Sequence, residues 1–488
     1  MGSPNPRWIR DTTETSKHSE ESVGNEVDFP AVYFLDHDAF LRSQISLPFP
    51  SLVLDQGIHS TFNKASVISK KYFSWVHLWM PILSKSKWKH LTGSLAQPAP
   101  DVKILLFAMK TLLWTPSERV TSRQPRNKDY AELKKHLSRA EAAGSLSLEL
   151  LQAWILTTIY EFAHGIYPAA YLSIGTCARY GMALGLDIQD CASGQISVAS
   201  DIQEEKRRAW WSIIILHRVI SPASDGPDPR PGDLLPVHDQ DWDDGKFNQG
   251  ANQPVSAPSS TDMGMLARLA QSAFLLGRVY KWKTQPTGDV RVRLSDKLQL
   301  DGKLHALLNL THEEGNTRFM AICPQTALYF SALALLHSDD SVPRSLPITN
   351  KVLFMSNDQY SNHEGETGKT AIQRLQFLHQ IANESCTGLS RFFRKDQWAF
   401  EKSSPLLLHW TYVIAMAYLQ IGNCLRGFQK FSVAGDEFTQ YIAGYVQEAD
   451  LGVQMMKRKF TLLGYHWSAA ETYLKIIQAR EAENSPQV

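Results

Sequence analysis

Tyr171-Leu-Ser-Ile-Gly-Thr-Cys-Ala-Arg-Tyr-Gly-Met-Ala-Leu-Gly-Leu186 is followed by Glu204-Glu-Lys-Arg-Arg-Ala-Trp-Trp-Ser-Ile-Ile-Ile-Leu-His-Arg218, and both stretches read as helices. In the first, Gly175, Ala178 and Gly181 recur every third residue and make a bare stripe that a neighbouring helix can approach closely. Gly185 stands where a left-handed C-terminal cap would end that helix. In the second, Glu204 and Glu205 suit the positive end of the helix dipole. Trp211, Ile214, Ile215 and Arg218 then recur at helical spacing, which makes the tryptophans core anchors. The chain breaks next into a loop rich in proline and aspartate, Asp225-Gly-Pro-Asp-Pro-Arg-Pro-Gly-Asp-Leu-Leu-Pro236, ending Asp241-Trp-Asp-Asp-Gly245. No catalytic chemistry requires parts in that order. A packed helical core explains them.

Outward from this segment the apolar spacing stays helical. Towards the N-terminus it predicts helices at 65–78, 101–113, 128–143, 147–164 and 168–184. Towards the C-terminus it predicts 203–220, 264–282, 289–311, 321–337, 369–393, 405–425, 436–457 and 463–481. Residues 1–29 lack a periodic apolar face and read as a disordered tail; Val32-Tyr-Phe-Leu-Asp36 is the first apolar anchor. Lys246–Asp262, rich in Ser, Pro and Asn, reads as a linker between halves at 30–245 and 263–482, with 483–488 as a short tail. Ser338–Glu366 is a second irregular stretch, and Lys351-Val-Leu-Phe-Met355 is the one convincing strand signal. The fold class is all-α: a large irregular helical array with two long loops and no fixed-period repeat.

At 488 residues, with 43% hydrophobic residues and 13 tryptophans, the chain can build one large core or two fused ones. A formal net charge of +1 supplies no global positive field for gripping nucleic acid. The five cysteines, at 177, 191, 323, 386 and 424, contain no Cys-x-x-Cys pair, so neither a disulfide framework nor a zinc site follows from them. The N-terminus carries no apolar signal run, which argues against glycosylation at Asn309 or Asn383. Leu406–Leu425 is long enough to span a membrane, but His409, Gln420 and Asn423 interrupt it and favour a buried core helix.

Several motifs imitate chemistry without completing it. Gly365-Glu-Thr-Gly-Lys-Thr370 ends like a phosphate loop, yet the glycine needed five residues before Gly368 is His363. Asp243-Asp-Gly-Lys-Phe247 echoes an isoprenoid-cyclase magnesium motif, but Phe247 holds the third carboxylate position and the preceding prolines favour a loop. Asn357-Asp-Gln-Tyr-Ser361 is similar to the second such motif, with Gly365 where a glutamate is required and Glu364 one residue off. Asp225, Asp228, Asp233, Asp239, Asp241, Asp243 and Asp244 lack calcium-loop spacing and read as solvated or as partners of neighbouring helices. His164, His217, His238, His409 and His466 form no metal pair. The cations Arg119, Arg123, Arg126, Lys128, Lys134, Lys135 and Arg139 read first as a solvated helix face, second as a nuclear-import or phosphate-contact patch. No catalytic, cofactor-binding or metal residue is nominated, and no cofactor is expected.

The order of parts resembles the middle homology region of fungal zinc-cluster transcription factors: an arginine-pair and tryptophan helix (Arg207-Arg208-Ala-Trp210-Trp211), then a proline-rich, acidic loop. Phe73–Leu83, with its histidine, tryptophan and proline before Ile-Leu-Ser84, resembles that family's opening motif. The resemblance runs over roughly 30–480 and is densest at 65–93 and 147–245. It implies an all-helical nuclear regulator of transcription, pathway-specific and governing a metabolite gene cluster. The family reads DNA through an N-terminal six-cysteine zinc cluster, and this sequence has no cysteine before Cys177. The expectation is therefore indirect or weak contact with DNA through a partner factor, with the transcription machinery and a small-molecule effector as further partners and no membrane. The rival reading is an all-helical small-molecule-binding protein or isoprenoid-processing enzyme on a similar scaffold.

Overall fold

The computed structural model describes residues 52–93, 98–116, 124–187, 201–222, 226–246, 252–285, 289–318, 324–337, 375–376, 379, 402–431 and 437–484. Fifteen helices run through them: α1 Gln56–Phe62, α2 Ala65–Trp75, α3 Lys85–Gly93, α4 Pro100–Leu112, α5 Lys128–Ala142, α6 Leu148–Ala163, α7 Ala169–Ala183, α8 Asp201–Ile220, α9 Asp239–Asp243, α10 Met265–Thr284, α11 Val290–Arg318, α12 Pro324–Leu336, α13 Leu406–Phe431, α14 Glu437–Leu463 and α15 Ala469–Asn484. The fold is all-α. Among the described residues the one β feature is an isolated antiparallel bridge between Leu234 and Pro254.

Helix α6 is mostly apolar, and every residue from Leu150 to Ala163 is buried. A helix buried on every side must be surrounded, and α4, α7 and α8 pack around it. Helix α8 is buried without interruption from Arg208 to Val219. It leans on α7 on one side and on α10 on the other, and α10, α12, α13 and α14 continue the array in sequence. Helix α13, the stretch long enough to span a membrane, lies in that core against α12, α14 and α15. No described helix is long and apolar enough to cross a membrane. One contiguous apolar cluster runs from Leu54 to Ile477.

Local signals set the ends. Asn127 and Ser147 cap α5 and α6 by accepting from Tyr130 N (2.9 Å) and Leu150 N (3.2 Å). At the end of α7, Leu186 N bonds Gly181 O (3.0 Å) and Gly185 N bonds Met182 O (2.8 Å), with Gly185 at φ 69°. These are the two bonds of a Schellman cap, and they need a left-handed residue where Gly185 stands. Gly181 is the close-approach point expected of the bare stripe: a Cβ there would lie 3.0 Å from the Trp210 ring. Gly175 is not, since a Cβ there meets only the Arg179 side chain, at 3.6 Å.

Three helices escape the periodic reading because they are short or bury little. Helix α3 buries only Trp88, α1 is a seven-residue turn segment, and α9 replaces expected loop with one turn. His238 starts that turn by accepting from Gln240 N at 3.4 Å. Helices α11, α13 and α14 run past their expected ends, and α15 starts at Ala469 rather than 463. The tail at 1–29, the apolar run at 351–355, the phosphate-loop imitation at 365–370, the motif at 357–361 and nearly all of the expected helix at 369–393 lie outside the described residues.

Candidate functional site: a buried arginine joint and an open cleft

The two stretches that carry the family-like motifs meet in space. Arg208, wholly buried on α8, donates from Nε to Glu204 Oε1 (2.9 Å), from Nη1 to Asp239 Oδ1 (2.8 Å) and Pro81 O (3.3 Å), and from Nη2 to Val237 O (2.8 Å). Its guanidinium also lies 3.9 Å from the centre of the Trp242 ring. One planar fork thus ties the opening motif, the arginine helix and the end of the acidic loop together, a task that suits arginine and not lysine. Glu204 completes the fork by accepting from Val237 N (2.9 Å). Asp239 reaches onward and accepts from Leu266 N at 3.2 Å, at the start of α10.

A second polar set lies beside the first. Glu205, 2% exposed, accepts from Ser84 N (3.0 Å) and faces Lys87 Nζ (2.9 Å). Burial works against the Lys87 charge, yet Glu205 and Glu149 together hold its pKa above the usual lysine value. Asp201 takes hydrogen bonds from Ser84 Oγ (2.7 Å), Ser86 Oγ (3.1 Å) and Trp242 Nε1 (2.9 Å). His77 stacks on Trp242 and shares a 3.0 Å bond with Asp243, which also pairs with Lys85. Burial pulls His77 below its ordinary pKa. The Asp243 carboxyl is also burdened by burial, but the His77 and Lys85 contacts bring it below the usual carboxylate range.

Chemically this is a joint. Its carboxylates are occupied by cations, side-chain donors or backbone N–H groups, which leaves them committed to holding segments together. Asp228, Asp239 and Asp243 of the acidic loop work through neighbouring elements, while Asp241 is exposed. Asp228 pairs with Arg218 (3.1 Å) and with Lys281, and Asp244 with Lys246 (3.1 Å). Asp243, the lead residue of the magnesium-like motif, is spent on His77 and Lys85.

Three cations of the basic stretch are tied to acids of the chain, while Arg126, Lys128, Lys135 and Arg139 stay exposed. Lys134 reaches the buried Glu161 (3.0 Å), while Lys135 (2.6 Å) and Arg139 (3.4 Å) hold Asp55. Arg126 bonds Tyr167 O; Arg119 and Arg123 lie outside the described residues. Asp55, Glu132 and His136 bring three ligand-type atoms within 4.8 Å of one another. The Lys135 hydrogen bond draws the Asp55 carboxyl down to about 2, so cations of the chain already fill the role an ion would take. Cys177 is fully buried, and burial pushes its thiol up to about 12, a structural and unreactive sulfur. His164 and His466 sit in an aromatic cluster with Trp114, Trp75 and Trp467, and His409 is a core residue of α13.

A separate open cleft lies outside the joint. Its volume is about 720 Å³, and it lies between α10, α11 and the segment 255–259. Its floor is Val255, Leu275 and Leu307, all buried. Arg278 and Lys303 stand at its edge, and Trp282 lines it beneath Arg293 at 4.5 Å. The available signal was the helical recurrence of 271, 274, 275, 278 and 282, in which apolar and cationic residues share one face.

The part of the joint built from the opening motif and α8 lies in a stretch similar to a known family. Residues 70–221 match the model of the fungal specific transcription factor domain. Transcription factor BOA15 of Botryotinia fuckeliana (strain B05.10) is 32% identical over 178 residues, which are 36% of this chain and 97% of that protein. The pigment biosynthesis transcriptional activator pigB of Monascus ruber is 27% identical over 207 residues, 38% of this chain and 37% of that protein. No solved structure matches.

Proposed function

The chain belongs to the fungal specific transcription factor family, and from that premise we propose that it is a nuclear, pathway-specific regulator of a metabolite gene cluster. It does not act as an enzyme in this reading. The supporting observation is the alignment across 97% of the length of a protein named a transcription factor. The pigment-biosynthesis activator among its relatives favours a secondary-metabolite pathway.

In the proposed mechanism residues 30–245 and 263–482 are two halves of one regulatory scaffold joined through 246–262. The packing of α8 on α10 and the bond from Leu266 N to Asp239 support that arrangement. The scaffold acts on promoters through a DNA-bound partner factor and the transcription machinery, with a small-molecule effector adjusting its activity. The modest net charge of +1 and the pairing of Lys134, Lys135 and Arg139 with acids of the chain favour the partner over direct contact with DNA.

Chromatin immunoprecipitation of the tagged protein, expressed at native level in its own host, tests this. Enrichment at a small set of promoters is expected, with weak or no binding of the purified protein to the same DNA unless the partner is added. Absence from chromatin under inducing conditions would overturn the regulator reading. Tight sequence-specific binding by the purified chain alone would overturn the partner.

A further inference from the structure

The cleft between α10 and α11 has the make-up of a ligand site. Its volume of about 720 Å³ falls within the range of pockets that take small organic molecules. The wall at 255–259 is held in place from below. Gln271 Nε2 donates to Val255 O (3.2 Å) and Ala257 O (2.9 Å), and Arg268 Nη2 donates to Ser259 O (2.9 Å). A wall pinned by buried side chains keeps its shape before a ligand arrives, which lowers the ordering cost of binding.

The lining has two chemistries. Val255, Leu275 and Leu307 form an apolar floor, and the half-buried Trp282 lines the cleft with the Arg293 guanidinium 4.5 Å from its ring centre. Around them stand Arg278, Arg293 and Lys303 against a single acid, Asp296. Lys281 also lines the cleft but is paired with Asp228. Among the described residues neither Arg278 nor Lys303 has an ion-pair partner, and both are exposed at the mouth. A low-dielectric floor beneath uncompensated cations selects for an anion carrying an apolar body.

We propose that this cleft binds an amphipathic organic anion, with an apolar body on the floor and a carboxylate or other oxyanion held by Arg278 and Lys303. The inference deepens the effector part of the proposed function and rests on it for its biological sense. The chemistry itself stands on the cleft alone.

The test uses the purified full chain and two matched probes, anionic 1-anilinonaphthalene-8-sulfonate and neutral N-phenyl-1-naphthylamine. Saturable binding of the anion at one site is expected, at least about tenfold tighter than the neutral probe and weakened by added salt. The R278E/K303E variant should lose about tenfold or more in affinity for the anion and little for the neutral probe. A306W, which places an indole in the cleft, should lose both. K89E, a charge reversal on α3, should change neither, and circular dichroism confirms that the variants fold. Equal affinity for the two probes, or undiminished binding of the anion by R278E/K303E or A306W, would overturn the proposal. Each readout is independent of promoter occupancy, so failure here leaves the regulator reading to its own experiment.

Discussion

Asp239 stands where Gly264 lacks a side chain. Gly264 is the N-cap of α10 and offers no capping oxygen. Asp239 Oδ2 supplies one from elsewhere in the chain, accepting from Leu266 N at 3.2 Å. A Cβ on Gly264 would lie 2.7 Å from both Asp239 N and Asp239 Oδ2. By local propensity serine is the better N-cap, so Gly264→Ser should stabilise an isolated helix. In this fold it should instead cost about 1–3 kcal/mol, because the added atoms would overlap the Asp239 backbone N and carboxylate. Thermal unfolding followed by circular dichroism checks the sign; a rise in Tm would show that α9 and α10 are not held together as described.

Arg208 is the common partner of that arrangement, and its charge is compensated only in the folded state. Arg208→Met takes from Glu204, 2% exposed, one of its two cations and leaves Arg207 on the other oxygen, so the loss should lie at or below the about 3–5 kcal/mol typical of breaking a buried ion pair. Arg208→Lys keeps the charge but cannot reach Glu204, Asp239 and Val237 O at once, so it should fall between the parent and the methionine variant. Adding Glu204→Gln to Arg208→Met should recover at most part of the loss, since the buried carboxylate is gone but Arg207 loses its partner with it. Urea midpoints of the four proteins give the comparison; equal midpoints for parent and Arg208→Met would refute the joint.

The helices that dominate the fold were legible because their periodicity is long and strong. Trp211, Ile214, Ile215 and Arg218 are all buried as spaced, and Gly185 is the left-handed cap its position announced. Helix α3 escaped because one buried residue, Trp88, makes no period. The joint was half legible. The arginine helix, the opening motif and the acidic loop each stood out, but no local pattern says that Pro81 O, Val237 O and Asp239 converge on one guanidinium. Such a contact joins positions up to 127 residues apart. The cleft was illegible for the same reason: it exists only once the α11 face is set opposite the α10 face.

The small-residue stripe of α7 divides into two cases with opposite signs. At Gly181 an added methyl meets Cε3 and Cζ3 of Trp210 at 3.0 Å and Ile213 Cδ1 at 3.2 Å. Both belong to a buried helix and cannot yield freely, so Gly181→Ala should cost about 1–3 kcal/mol. At Gly175 the methyl makes ordinary contact with the Arg179 side chain. Gly175→Ala should therefore gain about 0.5–1 kcal/mol through helix propensity alone. Melting curves of the two single variants measure the contrast, and a destabilised Gly175→Ala would mean that this position also faces a close neighbour.

His164 and His466 make the fold sensitive to acid. Burial brings each down to about 3, helped at His164 by His466 and at His466 by Lys71. His164 Nδ1 also accepts from Ser468 N at 3.3 Å, a bond that only the neutral ring with a bare Nδ1 can take. The folded pKa thus lies below the unfolded value of about 6.5. Above that pH both states are neutral and the pair contributes nothing to the pH dependence. As pH falls below it, the unfolded chain binds protons that the fold refuses, so stability drops until the pH reaches the folded values. At pH 5 the loss amounts to about 2 kcal/mol for each histidine. His466→Phe keeps an aromatic ring beside Trp467 and removes one of the two titrations. Its Tm should fall less steeply between pH 6.5 and 5 than that of the parent, with a stability slope smaller by about one proton. Identical slopes would show that His466 is already protonated in the folded chain, and the aromatic cluster that closes α15 onto α6 would then have to accommodate a charge.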